Sequence, residues 1–160
     1  MIRSLTVLAL ALVSTSAYAT PRLGDYVAFN AVLSLNGQTM QADVQQEIVQ
    51  HDTTKNEFLE RQTVAFSGRT PEVTDSWKAA DQFLDDATIE AVLGNCAAAG
   101  GTAQSITVPA GTFDTCAMPF DNEGSNGIAW IAKVPFGVAK LDQVNKENGL
   151  TVAMELRSFR

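Results

Sequence analysis

Histidine and cysteine are almost absent from this sequence of 160 residues, which has one histidine, His51, and two cysteines, Cys96 and Cys116. A zinc site draws most of its ligands from these two residue types. A Ser-His-Asp triad would have to use His51, and no G-x-S-x-G elbow supplies its serine. We therefore expect a non-enzymatic protein without a metal or cofactor. A hydrolase that uses His51, oriented by Asp52, is the catalytic alternative.

Basic residues are also scarce, since 11 lysines and arginines stand against 18 aspartates and glutamates, and the formal net charge is −7. A surface that binds nucleic acid needs a concentration of positive charge, so the sequence argues against that class of partner. No apolar run reaches the length of about 20 residues that crosses a bilayer, so we do not expect a membrane-spanning helix. The 46% of apolar residues can build one ordinary hydrophobic core.

Residues 1–19 have the three parts of a secretory signal peptide in the expected order. Arg3 supplies the positive charge, residues 5–13 form a short apolar run, and Ala17-Tyr18-Ala19 offers small residues for signal peptidase. The sequence therefore predicts cleavage after Ala19, a single exported domain over residues 20–160, and a periplasmic location.

If the protein is exported, its two cysteines are expected to form a disulfide. An oxidising compartment normally pairs cysteines, and the spacing of Cys96 and Cys116 is not that of a C-x-x-C redox pair. We therefore predict a structural disulfide between Cys96 and Cys116.

Period-two alternation of apolar and polar residues predicts a largely antiparallel β-structure. Residues 25–35 alternate, and Asn36-Gly37 is a strong signal for a hairpin that returns along residues 40–48. A third strand is predicted over residues 58–66. Further strands are predicted at residues 105–108, 112–118, 128–134, 138–144 and 150–159. The total is about eight strands.

A helical insert is predicted between the third and fourth of these strands. Thr74 or Asp75 could cap a first short segment that contains Trp77, Ala80 and Leu84. Asp85 or Asp86 could cap a second helix, in which the i, i+3, i+4, i+7 spacing of four apolar residues makes one face: Ile89, Val92, Leu93 and Cys96.

Two acidic stretches could be taken for cation sites. Asp81, Asp85, Asp86 and Glu90 lie close together in the sequence, but aspartates at a helix N-terminus are favoured by capping and by the helix dipole. Residues 121–127 have oxygen ligands at alternating positions, but Asn126 and Ala132 stand where an EF-hand needs glycine and glutamate. Helix capping and a hairpin loop explain these stretches, so we predict no metal site.

Aromatic residues recur on or beside the predicted strands. Such residues could line a cavity for an apolar ligand, under a helix that lies across the sheet. They could equally fill a closed core between the sheet and the helix. The residues concerned are Phe29, Phe58, Phe66, Phe113, Phe120, Trp130, Phe136 and Phe159, with Trp77 and Phe83 in the helical insert.

Two stretches in the C-terminal half resemble elements of uncharacterised bacterial envelope proteins. Residues 106–116 contain V-P-A-G-x-F, and residues 130–140 contain W-x-x-x-V-P-x-G-x-x-K. Those proteins are similar in fold to the periplasmic lipoprotein-localisation factors, in which a curved antiparallel sheet is partly wrapped around a helix. The resemblance implies the same fold here, and it implies a lipid or another apolar molecule as ligand. Pro109 and Gly111 suit the strand bends that such a sheet requires.

Together these features predict an α+β domain with a curved, mostly antiparallel, half-barrel-like sheet and one helical insert packed against it. The predicted function is non-enzymatic binding of an apolar or lipidic ligand in a cavity between sheet and helix. The lining residues are predicted to be Phe66, Trp130, Val134 and Phe136. The alternative function is a module that binds an envelope protein, as a chaperone, inhibitor or accessory subunit. It predicts an exposed apolar patch or an open strand edge.

Overall fold

The computed structural model describes residues 21–160, so the predicted signal peptide lies outside the described residues. The described chain forms one curved antiparallel sheet of nine strands. The strands are β1 (Tyr26–Leu35), β2 (Gln38–Asp52), β3 (Glu57–Phe66), β4 (Glu72–Ala79), β5 (Thr102–Val108), β6 (Gly111–Asp121), β7 (Ser125–Ile131), β8 (Val138–Asn145) and β9 (Thr151–Phe159). Within residues 21–160 the single α-helix, α1, spans Asp86–Gly94, and short 3-10 turns lie at Ala80–Gln82 and Pro135–Gly137.

The sheet has the strand order β4-β3-β2-β1-β9-β8-β7-β6-β5. Strands β1 and β9 are therefore neighbours at its centre, and β4 and β5 are its two free edges. The segment between β4 and β5 has to cross from one edge of the sheet to the other, and it contains α1. The predicted fold class, a curved antiparallel sheet with one helical insert, is confirmed, with nine strands in place of about eight.

One face of the sheet, the core face, carries most of the buried side chains. Because successive side chains on a strand alternate between faces, every second residue of the central strands is buried. Cross-strand pairs such as Phe29 with Val44 and Ala31 with Met154 continue this face from strand to strand. Buried residues on this face of the central strands include Val27, Phe29, Ala31 and Leu33 in β1, Val152, Met154 and Leu156 in β9, and Ala139 and Leu141 in β8. We call the opposite side of the sheet the outer face.

Helix α1 covers the part of the core face formed by β6 and β7. It begins after Asp85, whose carboxylate accepts a hydrogen bond from the Thr88 backbone N–H, so Asp85 is the N-cap that the sequence allowed. Ile89 is buried, with Val92 and Leu93 half-buried beside it. Cys96 follows the helix and forms a disulfide with Cys116 of β6, as predicted.

The cap at Asp85 predicts a pH-dependent contribution to stability. Hydrogen bonds from the side chain and the backbone N–H of Thr88 lower the pKa of the Asp85 carboxyl below its ordinary value. Since the carboxylate is favoured in the folded state, its contribution is complete above the unfolded pKa and disappears as the pH falls through the lower, folded pKa. We expect wild type to be more stable than Asp85→Asn near neutral pH, and we expect the gap to close in acid.

Denaturant unfolding of both proteins across a pH series measures this gap. Asparagine is itself a good N-cap, so the comparison isolates the charge from the hydrogen bond. A gap that stays constant from neutral pH into acid would contradict the prediction.

The prediction of a first helical segment around Thr74, Trp77 and Leu84 is wrong. The residues from Glu72 to Ala79 form β4, which pairs with β3 through Thr63↔Val73 and Leu59↔Trp77. On an edge strand neither face has to be deeply buried, so β4 lacks the apolar alternation that marks the other strands. Its place in the sheet follows from the antiparallel ladder with β3, and Asp75 also accepts two hydrogen bonds from Arg61 of β3, at 2.8 and 2.7 Å.

Candidate functional site

The turn that follows β7 has an unusual backbone. Phe136 has φ 61° and Gly137 has φ 74°, so two consecutive residues lie in the left-handed region. For a bulky residue this conformation costs about 1–2 kcal/mol. The turn is held by hydrogen bonds from the Ala132 N–H to the Gly137 carbonyl and from the Gly137 N–H to the Val134 carbonyl, both at 2.9 Å. The strain is therefore fixed by the fold, which favours a functional role for the turn.

Gly137 is where this turn meets the helical crossing. A Cβ at this position would lie 2.9 Å from Leu84 Cδ1 and 3.1 Å from Ile89 Cδ1. Only glycine accepts both the backbone conformation and this approach. The sequence V-P-F-G thus places the Phe136 ring beside the start of α1.

Aromatic rings connect this turn to the far end of β2. The centroid of the Phe136 ring is 6.2 Å from that of Phe83, and the Phe83 ring meets Phe58 edge to face at 6.0 Å. The His51 ring stacks on Phe58 at 4.1 Å. Ile48, Phe58 and Phe83 form a small buried cluster of their own, and Phe136 packs against it.

An open cleft of about 290 Å³ lies between this turn, the start of α1 and the two ends of the described chain. Its walls are apolar, and its rim is ionic. The apolar lining consists of Phe83, Leu84, Ile89, Val134, Pro135, Phe136 and Phe159. The ionic lining consists of Arg22, Asp25, Asp86, Lys133 and Arg160, with Pro21 beside them.

The charges on the rim are held in exposed ion pairs. Arg22 reaches Asp86 at 3.3 Å, and Lys133 reaches Glu90 at 2.6 Å. The hydrogen bond and the charge of Lys133 lower the pKa of Glu90, and the same contact raises the pKa of Lys133. Exposed pairs of this kind contribute little to stability, so they can exchange partners when a charged group enters the cleft.

The four predicted lining residues lie in different places. Val134 is buried and Phe136 half-buried, and both line the cleft. Trp130 lies on the outer face, where its cross-strand partner Lys140 places its Nζ 5.2 Å from the ring centroid. Phe66 packs at the end of β3, with the guanidinium of Arg69 5.9 Å from its ring. The space directly beneath α1 is filled by Ile89, Val92, Leu93, Cys96, Cys116, Met118 and Ile131.

Sequence reasoning missed the ionic half of the cleft, and at the chain ends it named only Phe159, among the aromatic residues that could line a cavity. Arg22, Lys133 and Arg160 are far apart in the sequence, and only the pairing of β1 with β9 brings Arg22 and Arg160 together. Lys133 offered a signal, because it directly precedes the V-P-F-G turn. Phe159 is 42% exposed, and it lies at the end of the most regularly alternating strand.

The residues considered for catalysis and metal binding lie outside the cleft lining, except Asp86. His51 lies at the exposed end of β2, with Phe58 as its stacking partner. Within residues 21–160, no group of three His, Cys, Asp or Glu side chains is placed to hold a metal ion. No helix in the same part of the chain has the length and hydropathy to cross a membrane.

The fold of this chain is similar to that of several solved structures. No family model matches the sequence, and no curated protein matches it. A Bacteroides fragilis structure described as a "putative exported protein with YmcC-like fold" superposes with a TM-score of 0.50 at 11% identity, over 91% of this chain and 99% of the other. A "putative lipoprotein" from Parabacteroides distasonis gives 0.49 at 12% identity, with the same coverage. This chain thus shares the curved-sheet fold of the Bacteroides fragilis protein over 91% of its length.

A more distant similarity is to MucB in its complex with MucA from Pseudomonas aeruginosa. The TM-score is 0.41 at 11% identity, over 84% of this chain, and the chain spans about half the length of MucB.

The disulfide between Cys96 and Cys116 is typical of proteins in an oxidising compartment.

Proposed function

We propose that this chain is an exported, non-enzymatic binding protein, cleaved after Ala19, whose ligand inserts an apolar group into the cleft beside Phe136. The observation that carries the proposal is the composition of the cleft, which has seven apolar side chains on its walls and ionic groups at its rim. Pockets for small molecules combine apolar walls with a few polar groups that orient the ligand in this way. An amphiphile satisfies both parts, because its apolar portion enters and its polar end stays at the rim.

The size of the cleft limits the ligand. About 290 Å³ is just below the range of roughly 300–1,000 Å³ that ligand pockets span. A single short acyl chain or an aromatic group suits this volume better than a diacyl lipid. The strained Phe136 and the tightly packed Gly137 support a preformed wall, which reduces the ordering cost of binding.

Native mass spectrometry of the protein purified from the periplasm without detergent, followed by solvent extraction, tests the proposal. A stoichiometric extra mass that extracts as a single-chain amphiphile is the expected result. An extra mass that survives extraction as a peptide would instead favour the second candidate below. A bare mass, together with no saturable binding of a dansyl-labelled fatty acid, would overturn the proposal.

The cleft predicts that Phe159→Ala weakens binding of the dansyl-labelled fatty acid. Losing the aromatic wall removes apolar contact worth about 1.4 kcal/mol, which corresponds to a roughly tenfold higher Kd. Fluorescence titration measures it. Val144→Ala is the matched control, because Val144 of β8 is 39% exposed, similar to the 42% of Phe159, and does not line the cleft. Equal affinities for the two variants would count against the cleft as the site.

The second candidate is a module that binds a segment of another envelope protein. It is favoured by the openness of the cleft, since an apolar side chain of a peptide could enter as readily as an acyl chain. Pull-down from an envelope extract, with Phe159→Ala as bait beside wild type, distinguishes it. A partner held by wild type and lost with the variant would support this candidate, and a partner held by both would exclude the cleft as its site.

A further inference from the structure

The two free edges of the sheet differ in their side chains. At β5 the exposed positions are small or polar, and no large apolar residue of that strand is exposed. At β4 two large apolar residues lie in solvent, Val73 at 57% and Trp77 at 48% exposure. Both occupy the outer face, two positions on either side of Asp75. An uncovered strand edge of this kind offers its backbone N–H and C=O groups to another strand.

We propose that β4 is the interface at which two copies of this chain pair edge to edge, as antiparallel strands, so that their sheets become continuous. The proposal is independent of the cleft, which lies elsewhere in the fold. The evidence is the self-complementarity of β4, which follows from its sequence once the faces of the sheet are fixed.

Only some registers of the two β4 strands place outer-face residues of one copy opposite outer-face residues of the other. In the register centred on Asp75, Val73 lies opposite Trp77 of the second copy, and this apolar pair occurs twice. Registers centred on Thr74 or Ser76 place Asp75 opposite Val73 or Trp77, which pairs a charge with an apolar side chain. Aromatic and β-branched residues directly across from each other stabilise antiparallel pairs. The register centred on Asp75 is therefore favoured on the outer face.

The same register is complementary on the core face. Glu72 lies opposite Lys78 of the second copy, again twice, and Thr74 lies opposite Ser76. Within the described residues Glu72 is exposed and has no ionic partner, whereas Lys78 binds the buried carboxylate of Glu60 at 2.9 Å. The Lys78 side chain is still 32% exposed, so its ammonium group can serve Glu60 and a second carboxylate together.

The centre of the register brings two Asp75 residues face to face, which would ordinarily be destabilising. Each Asp75, however, is held by two hydrogen bonds from Arg61 of its own chain. The two aspartates and two arginines at the centre carry no net charge. A charged side chain on an edge strand usually hinders pairing with another chain, but here the charge of Asp75 is neutralised by Arg61.

Sedimentation velocity across a dilution series tests the proposal. Wild type is expected to form a dimer that dissociates on dilution, and Val73→Asp is expected to raise the dimer Kd at least tenfold, because it places a charge opposite Trp77. Val144→Asp is the control, since it adds the same charge at an exposed valine of β8 and should leave the Kd unchanged. A monomer at every concentration, or a dimer that ignores Val73→Asp, would overturn the proposal.

A second variant tests the same interface in case Val73→Asp fails to fold. Glu72→Lys opposes Lys78 of the second copy and is expected to weaken the dimer to a similar degree, whereas Glu123→Lys in the β6–β7 turn should not. In a Trp130→Phe background Trp77 is the only tryptophan. Its emission should then shift to shorter wavelength as the concentration rises. Emission that does not depend on concentration, in a protein that dimerises, would place the interface elsewhere and overturn the proposal.

Discussion

Replacing Cys96 and Cys116 together by alanine is expected to lower the free energy of unfolding by about 3 kcal/mol. The disulfide closes a segment with a sequence separation of 20, so its loss frees the unfolded chain from a constraint of that length. In the folded protein the bond joins the end of the helical crossing to β6, and both cysteines are buried. Without it, α1 is held to the sheet by apolar packing and by a few surface ion pairs.

Denaturant unfolding with and without a reductant measures this effect. Reduced wild type should approach the stability of the double variant, and the variant should not respond to the reductant. The double substitution leaves no free thiol to form a mixed disulfide. If the double variant matched oxidised wild type, the bond would have no role in stability. Because the cleft lies at the opposite end of α1, the fatty-acid titration on the variant would also show whether the disulfide sets the geometry of the cleft.

Gly127→Ala is expected to destabilise the protein by about 3 kcal/mol, near the upper end of the cost of overpacking. Gly127 of β7 lies opposite Gln143 of β8 on the core face. A Cβ at this position would overlap the Asp142 carbonyl oxygen and lie 2.8 Å from Gln143 Cα. Both obstacles are backbone atoms, so relief requires the two strands to move apart.

Gly124→Ala provides a matched control in the turn that precedes the same strand. Its added Cβ would meet only Asn122 Oδ1, at 3.8 Å, and its backbone is not in the left-handed region. We expect its stability to stay within about 0.5 kcal/mol of wild type. In thermal unfolding the Gly127 variant should melt about 10 °C below wild type. Equal melting temperatures for the two variants would show that β7 and β8 adapt without cost.

Local signals in the sequence predicted the parts of the fold that depend on neighbouring residues. Asn36-Gly37 forms the hairpin turn between β1 and β2, with φ angles of 52° and 79°. Asp85 caps α1, and the alternation of residues 150–159 corresponds to β9. These features are determined by turn, cap and periodicity preferences, which act over a few residues.

Features that depend on distant residues were not accessible in the same way. Strand β4 is defined by its backbone pairing with β3, so its own composition did not reveal it. The prediction of Trp130 as a lining residue rests on the placement of aromatic residues along the strands, and strand periodicity alone does not say which face of the sheet a side chain occupies; in the structure its cross-strand partner is Lys140. The cleft combines residues from both ends of the described chain, and only the strand order brings them together.

The central pairing of β1 with β9 also bears on how the chain folds. Tyr26 and Arg160 exchange two backbone hydrogen bonds, at 3.2 and 3.1 Å, so the first strand and the last meet in the middle of the sheet. During synthesis from the N-terminus, β1 to β4 can associate early. The side of β1 that pairs with β9 stays unpaired until β9 has been synthesised. Contacts between such distant residues slow folding, because a long loop has to close before they form. Until β9 has been synthesised, β1 is therefore an apolar strand at the edge of the partly formed sheet, although it lies at the centre of the complete sheet.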